Sequence, residues 1–163
     1  MIARILIVCA GNVCRSPAAQ GLLSRELRDK VVISAGLAAV SGMRIDPVMS
    51  EMLSTRGLNM SGHRAKRLDE QMCRSADLIL VMEQEQRRVI ERICPMTRGR
   101  VYRLGEVHGI DIPDPYRRSQ HSYGYAMKLI EPGVQDWVMR IANLTGSKYR
   151  RSDSGSLPND NLQ

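Results

Sequence analysis

An α/β fold, a four-stranded parallel sheet flanked by helices on both faces, is predicted by three features of the sequence. Residues 5–8 and 78–82 are unbroken apolar runs, as in strands buried on both faces. The first run leads through a turn signal to a helix start at Ser16-Pro17, and the second leads into a charged amphipathic helix at 83–93. Strand and helix patterns then alternate along the chain, the order of βα units around a parallel sheet.

The first strand, Ile-Leu-Ile-Val at 5–8, ends at the turn signal Gly11-Asn12. Ser16-Pro17 reads as a helix start, the hydroxyl capping and the proline taking the first helical position. Ala18, Leu22 and Leu27 carry that helix to Lys30. Residues 31–35 form the next strand, ended by Gly36, and Asp46-Pro47 caps a helix reaching about Arg56. Residues 57–67 look irregular, with a short helix at 68–74 before the strand at 78–82. A charged amphipathic helix at 83–93 closes at Pro95, and 101–104 is a further strand. The segment 105–119, rich in Gly, Pro and Asp, is a long loop of the kind that carries function. The last helix, 123–144, aligns Met127, Ile130, Val134, Trp137, Val138 and Ile141, and Pro132-Gly133 predicts a kink or break near residue 130.

A chain of 163 residues with 43% hydrophobic content supports one buried core. The domain is expected over 1–145, with a disordered polar tail over 146–163. The formal charge of +7, with 20 arginines, would steer phosphorylated or acidic partners toward the surface. Nucleic acid is not expected as a partner, because the chain has no Phe for stacking. Four cysteines without a C-x-x-C pair suggest reduced thiols in a cytoplasm rather than zinc or a disulfide framework. The apolar start is too short for a signal core or a membrane span, so no membrane insertion is expected.

Chemistry concentrates where the first strand ends. Cys9, Ala10, Gly11, Asn12, Val13, Cys14, Arg15 and Ser16 contain C-x5-R, a spacing that lets one loop wrap a tetrahedral oxyanion. Backbone N–H groups point inward, the thiol lies below, and the arginine offers two donors. The following helix turns its positive end to the site, favouring bound phosphate and an anionic sulfur. Ser16 is placed to donate to that sulfur. The spacing alone is weak, since about 0.5 matches arise by chance at this composition, and Cys94 with Arg100 supplies a second match. That one follows a helix and precedes a strand, so no helix N-terminus opens on it. Cys14, in the same loop as Cys9, could form a reversible disulfide with it on oxidation.

The stretch from Val8 to Pro17 resembles the phosphate loop of the low-molecular-weight protein tyrosine phosphatases. Ser34-Ala35-Gly36-Leu37, Gly62-His63-Arg64-Ala65, the strand preceded by Ala76-Asp77, and Asp114-Pro115-Tyr116 are similar to further stretches of that family. The resemblance, running from about residue 3 to 144, implies phosphotyrosine hydrolysis through a phosphocysteine. Cys9 would be nucleophile, Arg15 the phosphate clamp and Asp114 the general acid, with no cofactor or metal. The residues alone leave Asp111, in the same loop, as an alternative acid. The resemblance further implies that Asn12 and His63 support the loop and that Leu37 and Tyr116 line the substrate cleft. Leu37 in place of a larger aromatic, and Arg117 after Tyr116, look like the bacterial branch associated with exopolysaccharide export. The implied partner is a phosphotyrosyl protein such as a bacterial tyrosine autokinase. Thioredoxin-coupled arsenate reductases share the loop but need a further close cysteine pair; Cys73 and Cys94 stand 21 positions apart on different predicted helices.

Overall fold

Ile5, Leu6, Ile7 and Val8 are all fully buried, because the strand that carries them, β1 (Arg4–Cys9), runs through the middle of the sheet. The computed structural model describes residues 1–146. β2 (Val31–Gly36), β3 (Leu78–Val81) and β4 (Val101–Arg103) complete one sheet in the order β2-β1-β3-β4. All three pairings are parallel. This is the predicted α/β architecture.

Alternation along β1 divides the core. Ile5 and Ile7 face α1 (Arg15–Glu26), α2 (Pro47–Ser54) and α5 (Gln120–Thr145), whose Leu23, Met49, Ile130 and Trp137 pack on them in one cluster. Leu6 and Val8 face α3 (Glu70–Ser75) and α4 (Gln84–Ile93), with Cys73 and Ile90 in a second. Asp46 caps α2 as expected, its Oδ1 accepting from Met49 N at 3.0 Å.

Three local expectations are corrected. Ser16 does not cap α1; Cys14 holds the N-cap position without a side-chain bond, and Ser16 lies inside the first turn. Its hydroxyl is engaged by the phosphate-loop region instead. α1 also stops at Glu26 rather than Lys30. Finally, α5 is unbroken through Pro132. A proline deletes one helical hydrogen bond, but Ile130, Val134, Trp137 and Val138 are buried on both sides of it, so packing keeps the helix in one piece where propensity alone would let it break. Gly133 lets this helix approach the segment after β4, since a Cβ there would stand 2.9 Å from Leu104 O. Gly146, expected to begin the tail, ends α5 in left-handed conformation at φ 68; residues 147–163 of that expected tail lie outside the described residues. Among the described residues no helix is long and apolar enough to cross a membrane.

Gly133→Ala should therefore lower stability by about 1–3 kcal/mol. The expected readout is a thermal midpoint reduced by roughly 3–10 °C; an unchanged midpoint would show that the helix can back away from Leu104 at no cost.

Candidate active site

β1 delivers Cys9 to the carboxyl edge of the sheet, and residues 10–14 turn directly into α1. The turn is built against the end of β2. Leu37 N donates to Cys9 O at 3.0 Å and Ala38 N to Ala10 O at 2.9 Å. Gly36 permits this approach, because a Cβ there would meet Ala10 O at 2.6 Å and Asn12 N at 2.9 Å.

Asn12 adopts a left-handed backbone, φ 55, which Asn tolerates better than most side chains. It is fully buried, and its side-chain amide is shared among three elements. Nδ2 donates to Ser16 Oγ at 2.8 Å and to Ser34 Oγ at 2.9 Å, while Oδ1 accepts from Lys66 N at 2.9 Å. Ser34 in turn donates to Gln20 Oε1 at 2.6 Å. His63 Nε2 meets the Asn12 carbonyl oxygen at 2.7 Å. Burial is the main cause that holds the His63 imidazolium below its usual range, and the nearby Lys66 and Arg64 act in the same direction. The neutral ring therefore donates its Nε2 hydrogen to Asn12.

Cys9 Sγ lies 2.9 Å from Ser16 Oγ and accepts from Asn12 N at 3.3 Å. Ser16 Oγ already accepts from Asn12, so its single proton is free to point at the sulfur. The N–H groups of Gly11, Val13 and Cys14 donate to no acceptor among the described residues, and helix geometry leaves those of Arg15 and Ser16 without intrahelical partners. Five N–H donors of residues 11–16 thus remain free in the turn that carries the thiol, enough to coordinate three phosphoryl oxygens.

Arg15 is 1% exposed. Its NH1 group donates to Ile112 O at 2.7 Å and to Glu83 Oε1, and NH2 lies 3.4 Å from Asp114 Oδ2. Its Nε is buried without a partner among the described residues. The guanidinium is held in the site with its Nε–H still unspent. Glu83 was not foreseen from sequence. Its signal was position: an acid two residues past the buried strand β3, beyond the same carboxyl end of the parallel sheet as Cys9. Ser34 and Gln20 were likewise missed.

The loop after β4 separates its two acids. Asp114 and Tyr116 line a cavity of about 240 Å³ together with Cys9, Val13, Cys14 and Ala38. Asp111 instead accepts from Gln84 N at 3.0 Å and pairs with Arg103 at 3.2 Å, so it is engaged elsewhere. The Arg117 guanidinium stands 5.2 Å from the centre of the Tyr116 ring. Leu37 is a correction: its side chain packs on the α3/α4 side of the sheet, and Ala38 takes the place in the cleft expected of it. The backbone leaving β2 alternates faces, so a shift of one residue exchanges them.

The cysteines have distinct surroundings. Cys14 is buried, and burial first, then the charges of Asp46 and Asp114, push its thiol pKa up. Cys73 and Cys94, distant in sequence, are hydrogen-bonded neighbours on the sheet face opposite Cys9. Burial, reinforced by Cys94, pushes the Cys73 thiol up to about 12, which makes it an inert core thiol. Cys94 ends α4, and Arg100 is spent on Ala76 O at 2.6 Å; the second C-x5-R match forms no anion cradle. Among the described residues, no group of three or more His, Cys, Asp or Glu is arranged to hold a metal ion.

A thiol beneath converging N–H donors, a buried guanidinium and a carboxylate across one small cavity define a cysteine-dependent phosphomonoesterase. The sequence matches the low molecular weight phosphotyrosine protein phosphatase family over residues 4–147. The chain belongs to that family: it is a low-molecular-weight protein-tyrosine-phosphatase, hydrolysing phosphotyrosine through a phosphocysteine intermediate. It is 45% identical over 144 residues to EpsP of Ralstonia nicotianae, described as a probable low molecular weight protein-tyrosine-phosphatase, covering 88% of this chain and 99% of that protein. Its fold is similar to the crystal structure of the tyrosine phosphatase Wzb from Escherichia coli K30 in complex with sulphate, with TM-score 0.83 and 34% identity over 86% of this chain and 99% of that one. The YwlE arginine phosphatase from Geobacillus stearothermophilus has the same TM-score, 0.83, at 25% identity, covering 91% of this chain and 99% of that one.

Two outcomes follow from the loop's construction. Asn12→Ala should cost about 2–4 kcal/mol, because several buried partners lose their bonds together, and should weaken inhibition by inorganic phosphate at least about tenfold; unchanged phosphate inhibition would show that the loop holds without the amide. For His63, whose folded pKa is lowered, the unfolded chain binds the proton first. Stability is then complete above the unfolded pKa of about 6.5 and falls as pH drops through it. Between about pH 7 and pH 5, wild type should lose more stability than His63→Gln, measured by urea unfolding; parallel losses would remove His63 from this linkage.

Proposed function

We propose that Cys9 attacks the phosphorus of a phosphotyrosyl side chain while Arg15 and the N–H groups of residues 11–16 hold the phosphoryl oxygens. The phenolate leaving group, of pKa about 10, departs with a proton from Asp114. Asp114 then takes a proton from water as it attacks the phosphocysteine, and phosphate leaves with the Cys9 thiolate restored. The observation that carries this reading is the cavity that Cys9 and Asp114 line together. Asn12, Ser16 and His63 support the loop in it, and Tyr116 forms a wall for the tyrosyl ring.

The substrate proposed is a phosphotyrosyl protein, specifically a bacterial tyrosine autokinase acting in exopolysaccharide production or export, met in the cytoplasm. The catalytic unit is residues 1–145. A phosphoarginine substrate is the second reading, raised by the likeness to the arginine phosphatase. The apolar walls Val13 and Ala38 with the Tyr116 ring suit a flat aryl ester better than a guanidinium, which would bury donors without acceptors. Cys14 is proposed as the redox partner: peroxide converts the Cys9 thiolate to a sulfenic acid, and the Cys14 thiol displaces water to give a disulfide. Because burial keeps Cys14 protonated, this closure should be slow.

Cys9→Ser should abolish aryl-phosphatase turnover, by on the order of a thousandfold or more; retained turnover would exclude the nucleophile. Asp114→Asn should slow phosphotyrosine hydrolysis by about 10²–10⁴-fold and a nitrophenyl ester, with its better leaving group, far less. Equal losses would take Asp114 out of the acid role, and faster hydrolysis of phosphoarginine than of phosphotyrosine peptides would select the second reading.

A further inference from the structure

The acid-bearing loop has no regular element from Ile110 to Ser119, so its aim must come from its anchors. On the N-terminal side these are plain. Ile112 N donates to Met82 O at 2.9 Å, and Ile112 O accepts from Arg15. Beyond Asp114, two of the bonds are internal to the loop: Tyr116 N to Asp114 Oδ1 at 3.1 Å and Arg118 N to Pro115 O at 2.9 Å. Among the described residues, one hydrogen bond reaches from residues 115–118 to an element outside the loop. It runs from Arg117 N to the hydroxyl of Tyr123, in α5, at 3.3 Å.

Tyr123 is itself buried, 2% exposed, and its hydroxyl donates to Asp46 Oδ2 at 3.0 Å. Asp46 is buried as well, and its backbone N donates to Val13 O in the phosphate loop at 2.8 Å. A continuous line thus joins Val13, Asp46, Tyr123 and Arg117, from beneath the phosphate to the far side of the acid. We propose that Asp46 and Tyr123 are positioning residues for phosphoryl transfer, fixing the height of Asp114 over Cys9 by tying the acid loop to the phosphate loop. This rests on the reading of Asp114 as general acid.

The hydroxyl is the necessary feature. Arg117 takes a left-handed backbone, φ 58, a conformation that a non-glycine residue keeps only when its surroundings over-determine it. Tyr123 gives that strained residue's N–H a fixed acceptor. It also supplies the second oxygen of Asp46 with a donor, the first being used for the α2 cap. Burial, with the Asp46 bond, pushes the Tyr123 hydroxyl up to about 12, so it stays a donor over the enzyme's working range. A phenylalanine would fill the same space and leave both partners unmet.

The test is single-turnover kinetics of Tyr123→Phe with phosphotyrosine and nitrophenyl phosphate, beside Asp114→Asn. Phosphoenzyme formation from phosphotyrosine should fall about tenfold and from nitrophenyl phosphate less than about twofold, with inhibition by inorganic phosphate within about twofold of wild type. The Arg117 amide should exchange its hydrogen faster. Asp46→Ser, which keeps a helix cap, should repeat the selective loss, and the double variant should lose no more than either alone. Equal losses on both esters, an unchanged Arg117 amide, or multiplicative losses in the double variant overturn the tie. If Asp114→Asn itself proves unselective, the acid assignment falls and the tie falls with it. If Asp114→Asn is selective and Tyr123→Phe is not, the tie falls alone.

Discussion

The site depends first on one side-chain amide, that of Asn12. A loop that wraps an oxyanion must turn its N–H groups inward, which forces left-handed backbone on a residue without access to solvent. Glycine would supply the dihedral and nothing to hold it. Aspartate would supply acceptors only, and would put a charge beside a sulfur that must become anionic. Glutamine carries one more methylene than the buried space between Ser16, Ser34 and Lys66 N allows. Asparagine has two donors and one carbonyl in a short rigid unit, and here each is used, binding the loop to α1, β2 and the segment after α2. Ser16 becomes unable to cap its helix and able to donate to Cys9.

Arg15 presents the opposite economy. A fully buried guanidinium is costly unless paired, and Glu83, Ile112 O and Asp114 pair it. A substrate phosphoryl group brings further negative charge to a cation already half neutralised, so its recognition must rest on the free N–H groups and the unspent Nε as much as on net charge. That division favours geometry over simple ion pairing. Two parallel donors from one rigid fork discriminate a tetrahedral oxyanion from the carboxylates that surround it.

How much of this was legible in the sequence follows from what each signal measures. Apolar runs report burial, so β1 and β3 and the sheet's order of βα units could be read directly. The cysteine, the arginine and the strand-to-helix context sit within eight consecutive residues, and local spacing exposes them. Ser16 misled because capping and catalytic hydrogen bonding ask for the same hydroxyl. Pro132 does not break α5 because its cost is local and the packing that overrides it is not. Glu83, Asp46 and Tyr123 reach the site from three separate elements, and the contact of Cys73 with Cys94 joins α3 to the far end of α4. No sequence period encodes such meetings; only the assembled sheet does. Leu37 and Ala38 differ by one residue of register, finer than a boundary read from sequence can resolve.

The acid loop shows how a chain without secondary structure can still aim a carboxyl group. Pro113 and Pro115 flank Asp114, fixing their own φ and restricting the residues before them to extended backbone. Ile112 and Asp114 are therefore confined before any tertiary bond forms, and the freedom surrendered on folding is smaller by that amount. The next residue able to swing is Tyr116, and the strained turn at Arg117 immediately stops the chain and sends it into α5. Rigidity inside the loop leaves its two ends as the remaining hinges. One is held by Met82 and Arg15, the other by a single buried hydroxyl. A rigid arm on two hinges transmits a displacement at either end directly to the carboxyl between them. Such a loop can accept wide variation in its exposed side chains, and very little in what fastens it.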